Sequence, residues 1–184
     1  MTAPTTATSP PPRGPSGPDP FAGVLCGLIA GAAYLIAQSS LSVVAQGGSI
    51  WAPLQRIAAM LLGEDAAPPS DFSFTMIGMA LLIHFALAIV FGRLVDWAVG
   101  GSSLAQGAAR GAAVGGALYL VNFWVLAPVL FPWFEQASRL VTPIDHLLFG
   151  AVAGASCVLI RERRAAALQR ARESTDSPKE FGQI

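Results

Sequence analysis

Four apolar stretches, each long enough to cross a lipid bilayer, constrain this chain more than any other feature. They cover about residues 21–44, 74–99, 111–131 and 140–160, and a spanning helix needs roughly 20 apolar residues. Only 12% of the 184 residues are charged, whereas a soluble domain carries about 25%. The sequence therefore predicts an all-α, polytopic membrane protein whose residues 21–160 form a four-transmembrane-helix bundle.

Both ends of the chain are polar and contrast with this apolar middle. Residues 1–20 contain seven of the fourteen prolines and no apolar run, which indicates a disordered cytoplasmic arm and not a secretory signal. Residues 161–184 form a basic cytoplasmic tail, which begins with strong helix formers that extend the fourth helix. We interpret this tail as a stop-transfer anchor; contact with anionic lipid headgroups is the alternative.

Basic residues are divided unequally between the two sides of the predicted membrane. Only Arg56 and Arg139 fall on the outer side. The other nine basic residues fall on the inner side: Arg13, Arg93, Arg110, Arg161, Arg163, Arg164, Arg170, Arg172 and Lys179. The positive-inside rule then places both termini in the cytoplasm. Ten of the eleven basic residues are arginine, which is typical of high-GC bacterial coding, so we predict the bacterial inner membrane.

Small residues recur every four positions in the odd-numbered spans. They are Gly23, Gly27 and Gly31 in the first span and, 84 positions later, Gly107, Gly111 and Gly115 at the start of the third. Such a glycine zipper lets two helices pack closely in lipid, where van der Waals contact replaces the hydrophobic driving force.

The even-numbered spans also match each other. A shift of 62 positions aligns three residues in each: His84 with His146, Ala88 with Gly150, and Gly92 with Gly154. Together the two alignments predict a duplication that gives two parallel helix-pair repeats, related by a pseudo-twofold axis along the membrane normal.

The two shifts differ because the first outer loop contains an insertion. Within it Ile50, Leu54, Ile57 and Leu61 recur at helical spacing, and Gly63 follows as a stop signal. These residues predict a short amphipathic helix over about 50–62. It either lies on the outer membrane interface or packs on the bundle.

Four polar side chains stand out inside the apolar spans, and each span supplies one of them: Gln38, His84, Asn122 and His146. Gln38 and Asn122 each follow their last zipper glycine by seven residues, so both amides share the glycine face. Polar residues within spans are costly and face the bundle interior by default. The four residues are our candidates for a ligand-binding site; we predict no metal and no cofactor.

Three roles remain open for this polar cluster. Amides and imidazoles hydrogen-bond across helices, so the cluster can act as a structural lock that fixes register. Alternatively it binds a small ligand, an ion or a proton. The two histidines lie at matched depth on different helices and could also ligate a haem iron from both sides.

Cys26 and Cys157 lie near the inner ends of the first and fourth spans. A reducing cytoplasm argues against a disulfide, and we interpret both as small apolar core residues. Asp145 is adjacent to His146, but neighbouring helix positions do not face each other, so we do not expect a joint site.

The segment Trp51–Gly63, the pair Pro68–Pro69, the run Leu82–Phe85 and Gly92 carry a resemblance. Across residues 21–160 the chain resembles a family of small uncharacterised bacterial four-helix inner-membrane proteins. The resemblance implies the four-helix topology but no catalytic residues. Some members carry symporter-like labels, yet we expect no charged pair in the core of this chain.

These observations favour a non-enzymatic integral membrane protein that acts through helix packing. Two zipper faces in four helices leave small-residue surface for self-association or for another membrane protein, as a homo-oligomer or accessory subunit. Replacing Gly27 or Gly111 with leucine should then disrupt association. The alternative is a small transporter, or a ligand- or haem-binding protein, that uses the polar cluster. Nothing indicates nucleic-acid binding.

Overall fold

The computed structural model describes residues 17–45, 47–67, 72–131 and 141–176, whose regular structure is entirely helical. The helices in chain order are α1 (Pro20–Val44), α2 (Ala52–Leu62), α3 (Phe74–Val99), α4 (Leu104–Leu120), α5 (Ala127–Leu130) and α6 (Val141–Asp176). Four helical segments are long and apolar enough to cross a membrane: α1, α3, the run from α4 to α5, and α6. This finding is consistent with an integral membrane protein.

Helix α1 begins inside the segment that we expected to be a disordered arm. Asp19 accepts hydrogen bonds from the backbone of Phe21 and Ala22, at 3.0 and 3.3 Å, and Pro20 follows it in the first turn. An acidic N-cap followed by proline is a strong helix start. Residues 1–16 lie outside the described residues, as do 177–184 of the tail.

Helix α4 begins at Leu104, whereas hydropathy alone suggested a start near residue 111. The reason is a capping box: Ser103 accepts from the backbone N–H of Gln106, and the Gln106 side chain accepts from the N–H of Ser103. These reciprocal bonds satisfy two free backbone donors. Gly107 and Arg110 therefore belong to the helix and not to the preceding loop.

A π-helical segment over Val121–Leu126 joins α4 to α5. Its wider turn shows in the bond from the Ala127 N–H to the carbonyl of Asn122, five residues back. Pro128 follows and has no N–H to continue the regular helical pattern. π-Helical turns are uncommon and often mark functional sites.

Helix α2 packs against the bundle. Its Leu54 and Ala58 are buried in a small core with Ala80 of α3, and Leu35 of α1 packs on the same group. The helix ends at Gly63, which adopts a positive φ of 92°. The sequence predicted a helix that either lies on the membrane interface or packs on the bundle, and these contacts agree with the packed helix.

The helices pack as two close pairs, α1 with α3 and α4 with α6, and α1 also packs along α6. Gly23, Gly27 and Gly31 are buried against α3, while Gly107, Gly111 and Gly115 are buried against α6. A Cβ at Gly27 would lie 3.0 Å from the carbonyl carbon of Ala88. On the other pair, a Cβ at Gly111 would lie 3.0 Å from that of Gly150 and 3.0 Å from the Cα of Gly154. Duplication of a helix pair stays a prediction.

The expectation of two free cysteines is wrong. Cys26 of α1 and Cys157 of α6 form a disulfide whose Cα atoms are 5.3 Å apart. That separation lies within the usual range for disulfides. Close packing of α1 and α6 brings the two residues together across a sequence separation of 131, a contact that spacing along the chain does not reveal.

Candidate functional site

A cavity of about 640 Å³ lies between the two helix pairs. Its walls come from α1, α2, α3, the π segment with its flanking helices, and α6. Most of the lining is aliphatic or aromatic. Its size falls within the range of ligand pockets, about 300–1,000 Å³. It is therefore large enough to hold a small organic molecule.

All four polar residues singled out from the sequence line this cavity: Gln38, His84, Asn122 and His146. Each side chain is half-buried. His84 donates through Nε2 to the carbonyl of Gly31 at 2.9 Å, and His146 donates through Nδ1 to the carbonyl of Thr142 at 2.8 Å. Asn122 lies within the π segment. The cavity wall thus combines a few polar groups with a mainly apolar surface.

Tyr34 contacts both histidines. Its ring centroid lies 5.8 Å from that of His84 and 5.6 Å from that of His146. The aromatic ring of Tyr34 thus connects the imidazoles of α3 and α6 across the cavity wall. Ligation of a haem iron by the two histidines stays a prediction. Among the described residues, no group of three or more His, Cys, Asp or Glu side chains that could hold a metal ion is present.

Gln38 connects the cavity wall to a buried carboxylate. Its Nε2 donates to Oδ2 of Asp145 and lies 3.5 Å from the Tyr34 hydroxyl. Asp145 is only 3% exposed. Asp145 and His146 do not share a site directly, as helix geometry predicted. Instead the carboxylate turns toward α1 and fixes the amide of Gln38 beside Tyr34.

Arg56 supplies the one permanent charge among the described residues that line the cavity. It projects from α2 and is half-buried. Burial lowers the pKa of its guanidinium from the ordinary value, yet arginine stays protonated. Within residues 17–45, 47–67, 72–131 and 141–176, Arg56 has no acidic partner and no hydrogen bond. Among the described residues, the cavity therefore contains a cation without a counter-ion.

Part of the cavity wall is also exposed on the surface of the bundle. Leu87 and Leu94 of α3 and Val121 and Leu126 of the π segment line the cavity and are 38–47% exposed. These aliphatic side chains form a rim on the outer surface of the bundle. Exposed aliphatic side chains of this kind suit the acyl-chain region of a bilayer.

The end of the bundle opposite Arg56 is held by a buried ion pair. Asp96 of α3 pairs with Arg161 of α6, and their side chains are 2% and 6% exposed. Arg161 also donates to the backbone carbonyls of Asp96 and Gly100, both at 2.7 Å. The expectation that the core contains no charged pair is wrong. The contact joins residues far apart in sequence, each near the end of its span.

Asp19 extends this ion pair to the start of α1. Its backbone N–H donates to Oδ2 of Asp96 at 2.9 Å, and its carboxylate lies 3.0 Å from Nε of Arg164. The Arg164 guanidinium also stands 4.4 Å from the centroid of the Phe21 ring. We call Asp19, Asp96, Arg161 and Arg164 the charge clamp. It ties α1, α3 and α6 together below the cavity.

Sequence reasoning found the four polar wall residues but missed Tyr34 and Arg56. Tyr34 follows Gly31 by three positions and precedes Gln38 by four, so it shares their helix face; that spacing was the available signal. Arg56 lies among apolar residues of α2, but only the packing of α2 on the bundle brings it to the cavity.

Comparisons with known protein families, with curated proteins and with solved structures find no match. The family resemblance therefore stays a prediction, and the cavity provides the basis for a function.

Proposed function

We propose that this chain is a non-enzymatic integral membrane protein that binds a small amphipathic molecule in the cavity between its two helix pairs. The observation that carries the proposal is the cavity itself. It is apolar over most of its wall, includes exposed aliphatic side chains of α3 and the π segment, and is lined by the polar residues Gln38, His84, Asn122 and His146. Recognition sites for small molecules combine an apolar wall with a few placed polar groups in this way.

The competing hypothesis of an accessory subunit loses its main support. It relied on zipper glycines left free for a partner, but all six are buried inside the pairs α1–α3 and α4–α6. Self-association and a protein partner stay predictions without a surface assigned to them. Ligand binding is supported by the cavity and by the polar groups that line it.

A cavity-filling variant tests the proposal. Leu118 lines the cavity, whereas Leu120 on the same helix is 54% exposed and lies outside it. In phosphatidylcholine nanodiscs, we expect the wild-type protein to enhance the fluorescence of the uncharged probe N-phenyl-1-naphthylamine above that of empty discs. Leu118→Trp should weaken binding by about tenfold, or about 1.4 kcal/mol, because the indole occupies ligand volume.

Leu120→Trp is the matched control and should bind the probe as the wild type does. No binding by the wild type, or equal binding by both tryptophan variants, would contradict a ligand site in this cavity.

We propose further that both termini lie in the cytoplasm of a bacterial cell. Support comes from the excess of basic residues at the charge-clamp end of the bundle. The Cys26–Cys157 disulfide lies toward the same end and argues for the opposite orientation, because disulfides are rare in the cytosol.

Reporter fusions at residue 184 decide between the two orientations. We expect a fluorescent green fluorescent protein fusion and an inactive alkaline phosphatase fusion; an active phosphatase would reverse the orientation.

A further inference from the structure

The cavity is asymmetric in charge along its length. Arg56 lies at the end where α2 crosses the bundle, while the wall extends along α3 from His84 to Leu94. Those residues span roughly 15 Å at 1.5 Å per residue. At one end stands a guanidinium; along the rest are mostly leucine, phenylalanine and alanine side chains. The cavity is thus elongated, with a cationic end and an apolar body.

The half-buried guanidinium of Arg56 has hydrogen-bond donors that no side chain in the described part of the chain satisfies. Arginine has five N–H donors in a planar fork that matches a carboxylate or a phosphate. No acidic side chain among the described residues meets Arg56. Asn122, which also lines the cavity, can add amide donors to an anion. An anionic group entering at this end would complete the hydrogen bonding of Arg56.

The size of the cavity limits what can accompany that anion. A volume of about 640 Å³ lies within the range of pockets that hold drug-sized ligands, about 300–1,000 Å³. One acyl chain with a small head group is a ligand of this size class. The exposed aliphatic side chains of α3 and the π segment that line the cavity suit such a chain.

We propose, on the basis of the ligand-binding function above, that the cavity binds a single-chain amphiphile whose anionic head group pairs with Arg56. Charge complementarity selects the anion, and the elongated apolar body selects the chain. A long-chain carboxylate and a lysophosphatidate share this chemistry. The polar wall residues orient the head group, and Phe91 of α3 and Phe149 of α6 contact the chain.

The test compares a charged probe with its uncharged ester. In phosphatidylcholine nanodiscs, 11-(dansylamino)undecanoic acid should bind the wild type more tightly than its methyl ester does. Arg56→Gln should weaken binding of the acid by about tenfold or more, because charge-assisted hydrogen bonds are lost, and should leave the ester unchanged. Arg56→Lys should retain part of the preference. Competition by palmitate and by lysophosphatidate then distinguishes a carboxylate from a phosphate ligand.

Arg163→Gln is the control, since Arg163 is exposed on α6 and its replacement removes the same charge; acid binding should not change. Equal binding of acid and ester, or an Arg56→Gln variant that binds both as the wild type does, overturns the proposal while the ligand cavity stands. Loss of both probes in Arg56→Gln and Arg56→Lys also overturns it, because Arg56 would then be structural. If the wild type binds neither probe, the proposed function fails as well.

Discussion

Replacing Gly111 with leucine is expected to destabilise the folded bundle by about 3 kcal/mol or more, at the upper end of overpacking effects. A side chain at this position meets the backbone of Gly150 and Gly154 and not the flexible end of a side chain. Backbone cannot move aside without separating α4 from α6. Gly27→Leu should behave similarly, because a Cβ there meets the backbone of Ala88 and Gly92 on α3.

Unfolding of the purified protein in mixed detergent micelles measures this effect, with Gly78→Leu as the control. Gly78 lies in α3 and a Cβ there would meet no atom within 4 Å, so its replacement should change the free energy of unfolding little. Size-exclusion chromatography with light scattering separates the two possible roles of the glycines. Wild-type stability combined with a lower oligomeric state in Gly111→Leu would show that the glycine face binds a partner after all.

Removing Arg161 should produce the second large effect. In Arg161→Met the carboxylate of Asp96, 2% exposed, loses its cation in a low-dielectric interior. Breaking a buried pair by removing one partner costs about 3–5 kcal/mol. The carbonyls of Asp96 and Gly100 also lose their donor. We expect the free energy of unfolding to fall by about that amount and the three helices of the charge clamp to separate more easily.

Exposed Arg163→Met is the matched control and should stay within about 0.5 kcal/mol of the wild type, as surface substitutions usually do. The double variant Asp96→Asn with Arg161→Met should recover part of the loss, since it no longer buries an unpaired carboxylate. If Arg161→Met is as stable as Arg163→Met, the charge clamp contributes nothing to the free energy of unfolding. No recovery in the double variant would assign the loss to the backbone hydrogen bonds.

Local sequence patterns determined the spans and several of their ends. Apolar composition over enough residues predicts a spanning helix whatever its neighbours are, and α3 runs from Phe74 to Val99 as expected. Start signals were also local: Asp19 before Pro20, and Ser103 with Gln106, explain why α1 and α4 begin earlier than hydropathy suggested. The end of α2 is also set locally, because Gly63 follows its last residue and adopts a positive φ.

The polar wall of the cavity was also predictable, because a polar side chain in a span is costly unless it faces the interior. Gln38, His84, Asn122 and His146 all line one cavity. What the residues do there was not predictable. The ring of Tyr34 contacts both histidines, and those contacts depend on how α1 packs against α3 and α6.

Only the tertiary structure decided the contacts between distant segments. The Asp96–Arg161 pair, the Cys26–Cys157 disulfide and the approach of Arg56 to the cavity each join different helices. Their physical cause is the close packing within and between the two helix pairs, which sets the distance between side chains remote in sequence. Hydropathy and residue spacing determine which helix faces are apolar and which carry small residues. The packing of the bundle determines which of these faces meet and which cavity stays open between them.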